Sequence, residues 1–190
     1  MGLDAEGAKM MILISLDPGK SSGSAVLGYD ESAVWLIEAF QVASGVGAFR
    51  GMVTELQDRW GYDDPVWISE KFSPRPGQGF THGLDSTIPL VCEGVLIDRD
   101  LLPEYTPKEK RWRAPVLHYV VGGESKAQKK VRLHRFLKDS GFYRTGKDLG
   151  APDADDARSA MGHGISYLAR EVGNKPAYDM VSTWVERNPV

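Results

Sequence analysis

Four acidic residues have the types and spacing to do chemistry together: Asp17, Glu70, Asp153 and Asp156. Asp17 closes the apolar run Ile14-Ser15-Leu16 and is followed at once by Pro18-Gly19. Glu70 closes Val66-Trp67-Ile68-Ser69, and the last two acids frame Pro152-Asp153-Ala154-Asp155-Asp156-Ala157. An acid at the end of an apolar run has no core role, because an ionised carboxylate is costly to bury alone. A cation removes that cost. Carboxylates converging from distant segments can hold a pair of Mg2+ ions about 4 Å apart, the arrangement used for in-line displacement at a phosphodiester. Three of the acids also have a plainer reading. Asp17-Pro18-Gly19 is a good turn, Glu70 is an exposed acid before a loop, and Asp153 is a helix cap.

These acids need elements to position them, and the chain supplies a pattern. Met10–Leu16 reads as a buried strand, Ser24–Tyr29 as its return and Ala33–Val42 as a third strand. Val46–Trp60 has helical spacing, with Phe49, Met52, Val53, Leu56 and Trp60 on one side. Pro65 precedes a strand over Val66–Ser69, and Ser73–Gly83 is a Gly- and Pro-rich loop. Asp85 or Ser86 caps a helix with Pro89 in its first turn, running to about Asp100. Leu102–Pro115 is an irregular basic connection, Val116–Val121 a strand, and Ser125–Ser140 a basic helix with Leu133, Phe136 and Leu137 as its core stripe. Pro152 opens a helix to about Val172, and a short helix covers Tyr178–Arg187. This order predicts a mixed sheet flanked by helices. Residues 1–9 read as a loose extension, and 10–190 as a single domain.

On the expected helix from Pro152, Asp153 and Asp156 are three apart and share a face. Steps of four from them reach Ala157, Met161 and Ile165, or Ala160, Gly164 and Leu168. These positions are apolar or small, so the face packs inward, and Ala160 and Gly164 permit close approach to the sheet. Asp155 leads instead to Ser159, His163 and Tyr167, a more polar side, and His163 reads as structural. A capping role accounts for Asp153 but not for Asp156, whose burial needs a cation.

With 190 residues the chain can bury a full core, and its single cysteine, Cys92, excludes an internal disulfide and a Cys-rich zinc site. No stretch reads as a signal peptide or is long enough to span a bilayer, so a cytoplasmic location is expected, in a bacterium or in one hosting a phage. The net charge of −3 conceals an asymmetry. Between Lys108 and Lys138 ten Lys or Arg face two acids, Glu109 and Glu124, a local charge of +8 that leaves −11 on the remainder. Such a run is either a solvated helix face or the electrostatic footprint of nucleic-acid binding.

Taken in order, Asp17-Pro18-Gly19 after a strand, Glu70 ending the fourth strand, and Asp153 and Asp156-Ala157 at a late helix resemble the RuvC-type Holliday junction resolvases. These belong to the ribonuclease H-like superfamily. The resemblance covers roughly Ile12 to Leu168. It implies a mixed five-stranded sheet, with a three-strand antiparallel meander plus parallel strands, flanked by helices. It also implies that Asp17, Glu70, Asp153 and Asp156 are catalytic and bind two Mg2+ or Mn2+ ions. The product would be a nick with 5′-phosphate and 3′-hydroxyl ends. The segment Lys126-Ala127-Gln128 resembles the family's DNA-contacting helix start, although Lys129 and Lys130 intervene before Val131. Lys126 and Lys130 share a face and are expected to meet DNA. In the loop after Glu70, Arg75 is a further candidate contact. Phe72 or Phe80 either packs on the sheet or stacks on an unpaired base. The helix after that loop forms the dimer interface in the family; here it carries Glu93-Gly94 and apolar Ile88, Val91, Cys92, Val95 and Leu96. A homodimer acting on branched DNA is the expectation.

Three other readings stay open. One keeps the metal site but acts on flaps, forks or RNA hybrids. Another is a DNA-binding scaffold without catalysis, which the intact acids argue against. The last takes Asp17-Pro18-Gly19-Lys20-Ser21-Ser22-Gly23 as a phosphate loop of an actin-like ATPase, which needs two such domains and more residues than this chain has.

Overall fold

The computed structural model describes residues 10–43, 45–70, 87–101 and 126–188. Strands β1 (Met11–Asp17), β2 (Ser22–Tyr29) and β3 (Val34–Val42) form an antiparallel meander, and β4 (Val66–Ser69) adds to β1 in parallel. The sheet order is β3-β2-β1-β4. The fold is thus mixed α/β, as the ribonuclease H-like expectation requires. Among the described residues the sheet has four strands rather than five. The expected fifth strand, Val116–Val121, lies outside the described residues.

Five α-helices flank this sheet among the described residues: α1 (Val46–Trp60), α2 (Ile88–Asp98), α3 (Lys126–Asp139), α4 (Asp155–Tyr167) and α5 (Lys175–Arg187). A π-helical turn over Leu168–Val172 links the last two. None of these helices is long and apolar enough to cross a membrane.

Strand alternation divides the core into two layers. Ile12, Ile14 and Leu16 of β1 pack with Phe49, Met52, Val53 and Leu56 of α1 and with Cys92, Val95 and Leu96 of α2. Leu13 of β1 and Leu27 of β2 pack on the other face with Leu133, Phe136 and Leu137 of α3, with Ala157, Ala160, Met161 and Ile165 of α4, and with Trp184 of α5. By the same parity Ser15 and Asp17 belong to the second face, beneath α4.

Close packing of α4 depends on glycine. A Cβ on Gly164 would stand 2.7 Å from Leu27 Cδ1, and one on Gly23 of β2 would stand 2.1 Å from the backbone of Asp156 and Ala157. The helix therefore rests directly on β2.

Two boundaries differ from the sequence expectation in ways that matter. Helix α4 begins at Asp155, not Pro152, with Ala154 at its N-cap. The residues before it form a bend folded over Gly146, where an added Cβ would meet the carbonyls of Ala151 and Pro152 at 2.5 Å. Helix α5 begins at Lys175 rather than Tyr178, because the Asn174 side chain accepts from Ala177 N at 3.0 Å and caps it.

Candidate metal centre

The site begins with the pairing of β1 and β4. Their parallel register matches Leu13 with Val66 and runs to Leu16 with Ser69. Glu70 N then donates to Leu16 O at 2.9 Å, which extends the ladder by one bond. Asp17 and Glu70 consequently leave the carboxyl ends of two adjacent parallel strands, the place where open α/β sheets bind ligands. Neither acid has a core position to fill.

Helix α4 closes the site from above. The ligand atoms of Asp17, Glu70 and His163 all lie within 4.8 Å of one another. His163 Nε2 stands 3.7 Å from Glu70 Oε2, and the His163 side chain is buried. Ser159 hydrogen-bonds the Asp17 carboxylate, and the charge of Asp156 acts on the same group. Ser21 Oγ, in the turn after β1, donates to Asp156 Oδ2. Asp156, Ser159 and His163 stand at i, i+3 and i+7, one stripe of a helix.

The electrostatics of this cluster are unfavourable without a cation. The Asp17 carboxyl is held well above the usual carboxylate range. Burial is the largest cause, followed by the charge and hydrogen bond of Glu70 and then the charge of Asp156; the Ser159 hydroxyl opposes them. A divalent ion would offset the cost of ionising Asp17 beside Glu70 and Asp156. Two carboxylates and an imidazole fit Mg2+ through oxygen and suit Mn2+ at least as well through nitrogen. The donor set therefore fits a divalent cation.

Of the expected ligands, Asp17, Glu70 and Asp156 are brought together and Asp153 is not. Asp153 precedes the helix, so the shared face expected for Asp153 and Asp156 does not exist. Its side chain is 79% exposed, and Oδ1 lies 3.5 Å from Lys130 Nζ of α3. Asp155 stands off the cluster, as its helical position requires, but it has a partner set of its own. It pairs with Lys130, lies 3.0 Å from His134 Nε2 and accepts from Arg158 Nη1 at 3.2 Å. The buried Arg158 also donates twice to Arg144 O, each at 3.2 Å, and its guanidinium stacks over Tyr143.

His163 is the residue that the sequence reading placed on the wrong side. Steps of four alone assigned it to the line through Asp155. On a helix of 3.6 residues per turn, seven residues return almost to the starting angle, whereas adjacent residues are about 100° apart. His163 therefore lies nearly above Asp156, and the histidine seven residues after an acid was the available signal. Of the expected DNA contacts, Lys130 is committed to Asp153 and Asp155, and Lys126 opens α3. Phe72, Arg75 and Phe80 lie outside the described residues.

No family model matches the chain, and no curated protein matches it. Among solved structures it is similar to RuvC of T. thermophilus in complex with a Holliday junction substrate, with 13% identity and a TM-score of 0.48. That similarity covers 85% of this chain and 96% of the other. At this level of overlap the functional case is carried by the chain's own residues.

Proposed function

We propose that this protein is a metal-dependent endonuclease that nicks branched DNA, with four-way junctions as the preferred substrate. The supporting observation is the convergence of Asp17, Glu70 and His163, with Asp156 beside them, at the carboxyl ends of two parallel strands. Asp17, Glu70 and His163 would hold one Mg2+ or Mn2+, and Asp17 with Asp156 a second. Such ions supply an activated water and stabilise the leaving 3′ oxygen. The chain's own contribution is to hold Asp17 and Glu70 at the strand ends and Asp156 on the facing helix turn, close enough for a cation to favour their ionised form. Ser159 and Ser21 orient two of them by donating hydrogen bonds. Hydrolysis at such a site leaves 5′-phosphate and 3′-hydroxyl ends and needs no covalent intermediate with the protein.

The basic helix supports a nucleic-acid substrate. Lys130 on α3 reaches the turn that leads into α4, so this helix brings a cation next to the segment that carries Asp156. A phosphate can replace Asp153 as a partner of Lys130 with little loss, because an exposed ion pair of this kind contributes little.

Two nicks on symmetric strands call for two active sites, and α2 offers a surface for a second copy. Cys92, Val95 and Leu96 are buried in the core, whereas Leu90, Val91 and Ile97 are exposed on the opposite side. Leu90, Gly94 and Ile97 follow the i, i+4, i+7 spacing of one outward stripe. A homodimer through this stripe is the assembly we propose.

The test is nicking of synthetic four-way, forked, flapped and linear DNA and of an RNA–DNA hybrid, with Mg2+, with Mn2+ and with EDTA. Light scattering gives the mass. The reading expects metal-dependent nicks concentrated at the four-way junction and a dimeric mass. Metal-independent cleavage, or none on any substrate, overturns it. Cleavage of flaps or hybrids in preference to junctions retains the metal site and replaces the substrate.

A further inference from the structure

The first turn of α4 carries Asp156, yet no side chain of its own caps it, since Ala154 holds the N-cap position. The free N–H groups of a helix start need partners. They find one more than a hundred residues away in sequence. Gln41 Oε1 accepts from Asp156 N at 3.0 Å and from Ala157 N at 3.2 Å. The same amide donates from Nε2 to Asp153 O at 2.8 Å. One side chain therefore holds three backbone groups of the segment that delivers Asp156 to the site.

The sheet register explains why Gln41 can do this. Asp17 pairs with Gly23, and Gly23 pairs with Gln41, so the three stand in one row across β1, β2 and β3. The backbone of Asp156 and Ala157 sits on the bare Gly23 in the middle of that row. At one end of the row is the carboxylate that Asp156 must approach. At the other end is the amide that fixes where Asp156 begins. The main chain of Gln41 is itself anchored, donating to Leu149 O at 2.9 Å.

We infer that Gln41 is a positioning residue of the metal centre, setting the distance between Asp156 and Asp17 through the backbone of α4. The inference rests on the metal-centre reading above and adds to it a residue that touches no ligand atom. Partners of this kind, which orient a ligand without binding the ion, typically change metal affinity or activity by 10- to 100-fold when removed. Asn174 provides an internal control. It caps α5 by the same chemistry, accepting from Ala177 N at 3.0 Å and donating to Asp30 O at 2.7 Å, but it serves a helix that lends nothing to the cluster.

The experiment is Mn2+ binding to the full chain, followed by calorimetry and by the EPR signal of free Mn2+, at a temperature where every variant is folded. Gln41→Met keeps the length of the side chain and removes both hydrogen-bonding groups. It is expected to raise the Mn2+ midpoint by about 10- to 100-fold. Gln41→Glu keeps the acceptor and should recover most of that loss. Asn174→Ala should lower the melting temperature and leave the midpoint unchanged. If Gln41→Met folds poorly, Gln41→Asn, which withdraws the amide by one carbon, should shift the midpoint in the same direction. A midpoint within about twofold of wild type for Gln41→Met and Gln41→Asn, or an equal shift in Asn174→Ala, overturns the inference and leaves Gln41 a stability residue. Failure of the wild-type chain to take up Mn2+ overturns the metal-centre reading and this inference with it.

Discussion

Replacing Asp17 by Asn should stabilise the metal-free protein and abolish its response to metal. The carboxylate oxygens of Asp17 and Glu70 lie within 4.8 Å of each other. Two unit charges at that separation repel by about 3 kcal/mol at an effective dielectric of about 20. Solvent at Glu70 and the opposing Ser159 hydrogen bond reduce this, so about 1–2 kcal/mol should be recoverable. For a chain of this size each kcal/mol moves the melting temperature by about 2–4 °C, which gives a rise of about 2–8 °C.

The sign depends on pH. Because the Asp17 pKa is raised in the folded state, the native protein holds a proton that the unfolded chain has already released. Stability from this group is therefore lost as pH climbs from the ordinary carboxylate range through the raised value. The gain from Asp17→Asn should be small in mild acid and largest in alkaline solution. In wild type, Mg2+ at about a hundred times its Kd should add about 2.7 kcal/mol, or about 5–10 °C. Below the raised pKa, binding should also release a proton, visible as a dependence of the calorimetric heat on buffer. Melting curves at several pH values, with EDTA and with Mg2+, test all of this. A variant that is destabilised at alkaline pH, or that Mg2+ stabilises as much as wild type, would refute the reasoning.

Two further perturbations separate the roles of neighbouring charges. Asp155→Asn removes the partner of the buried Arg158 and should cost about 2–3 kcal/mol of stability in urea titrations. It should leave the Mg2+-induced rise in melting temperature intact; loss of that rise would make Asp155 a ligand. Replacing Lys126 and Lys130 together by Ala should weaken binding to all DNA sequences and reduce the slope of log affinity against log salt by about 1–2. An unchanged slope in fluorescence anisotropy would mean that α3 does not face the phosphates.

How much could be read beforehand follows from where each signal lies along the chain. Asp17 and Glu70 were legible because a strand is a local pattern and an acid at its end is conspicuous. The observed limits of α1 and β4, Val46–Trp60 and Val66–Ser69, coincide with those read from periodicity and the preceding Pro65. Asp153 misled because Pro152 is a good first residue of a helix, and nothing nearby in sequence shows the bend over Gly146. His163 was misplaced for a geometric reason, since its position depends on counting seven residues rather than four. The strand pattern marked out the first three strands, but the pairing of β4 with β1 in the order β3-β2-β1-β4 has no local signal.

Gln41 was not legible at all, and the reason bears on how such a site is built. An amide in a strand carries no pattern, and its partners lie 112 to 116 residues later. What couples it to the acids is the register of three strands, which brings Asp17, Gly23 and Gln41 into line. The candidate ligands are thus a property of strand ends and a helix stripe, while their spacing is a property of the sheet. A substitution that preserved every acid but shifted that row would keep the charges and lose the geometry. The site should therefore be more sensitive to Gly23 and Gln41 than their plain chemistry suggests, because any cation shared by Asp17 and Asp156 must fit the gap that those two residues set.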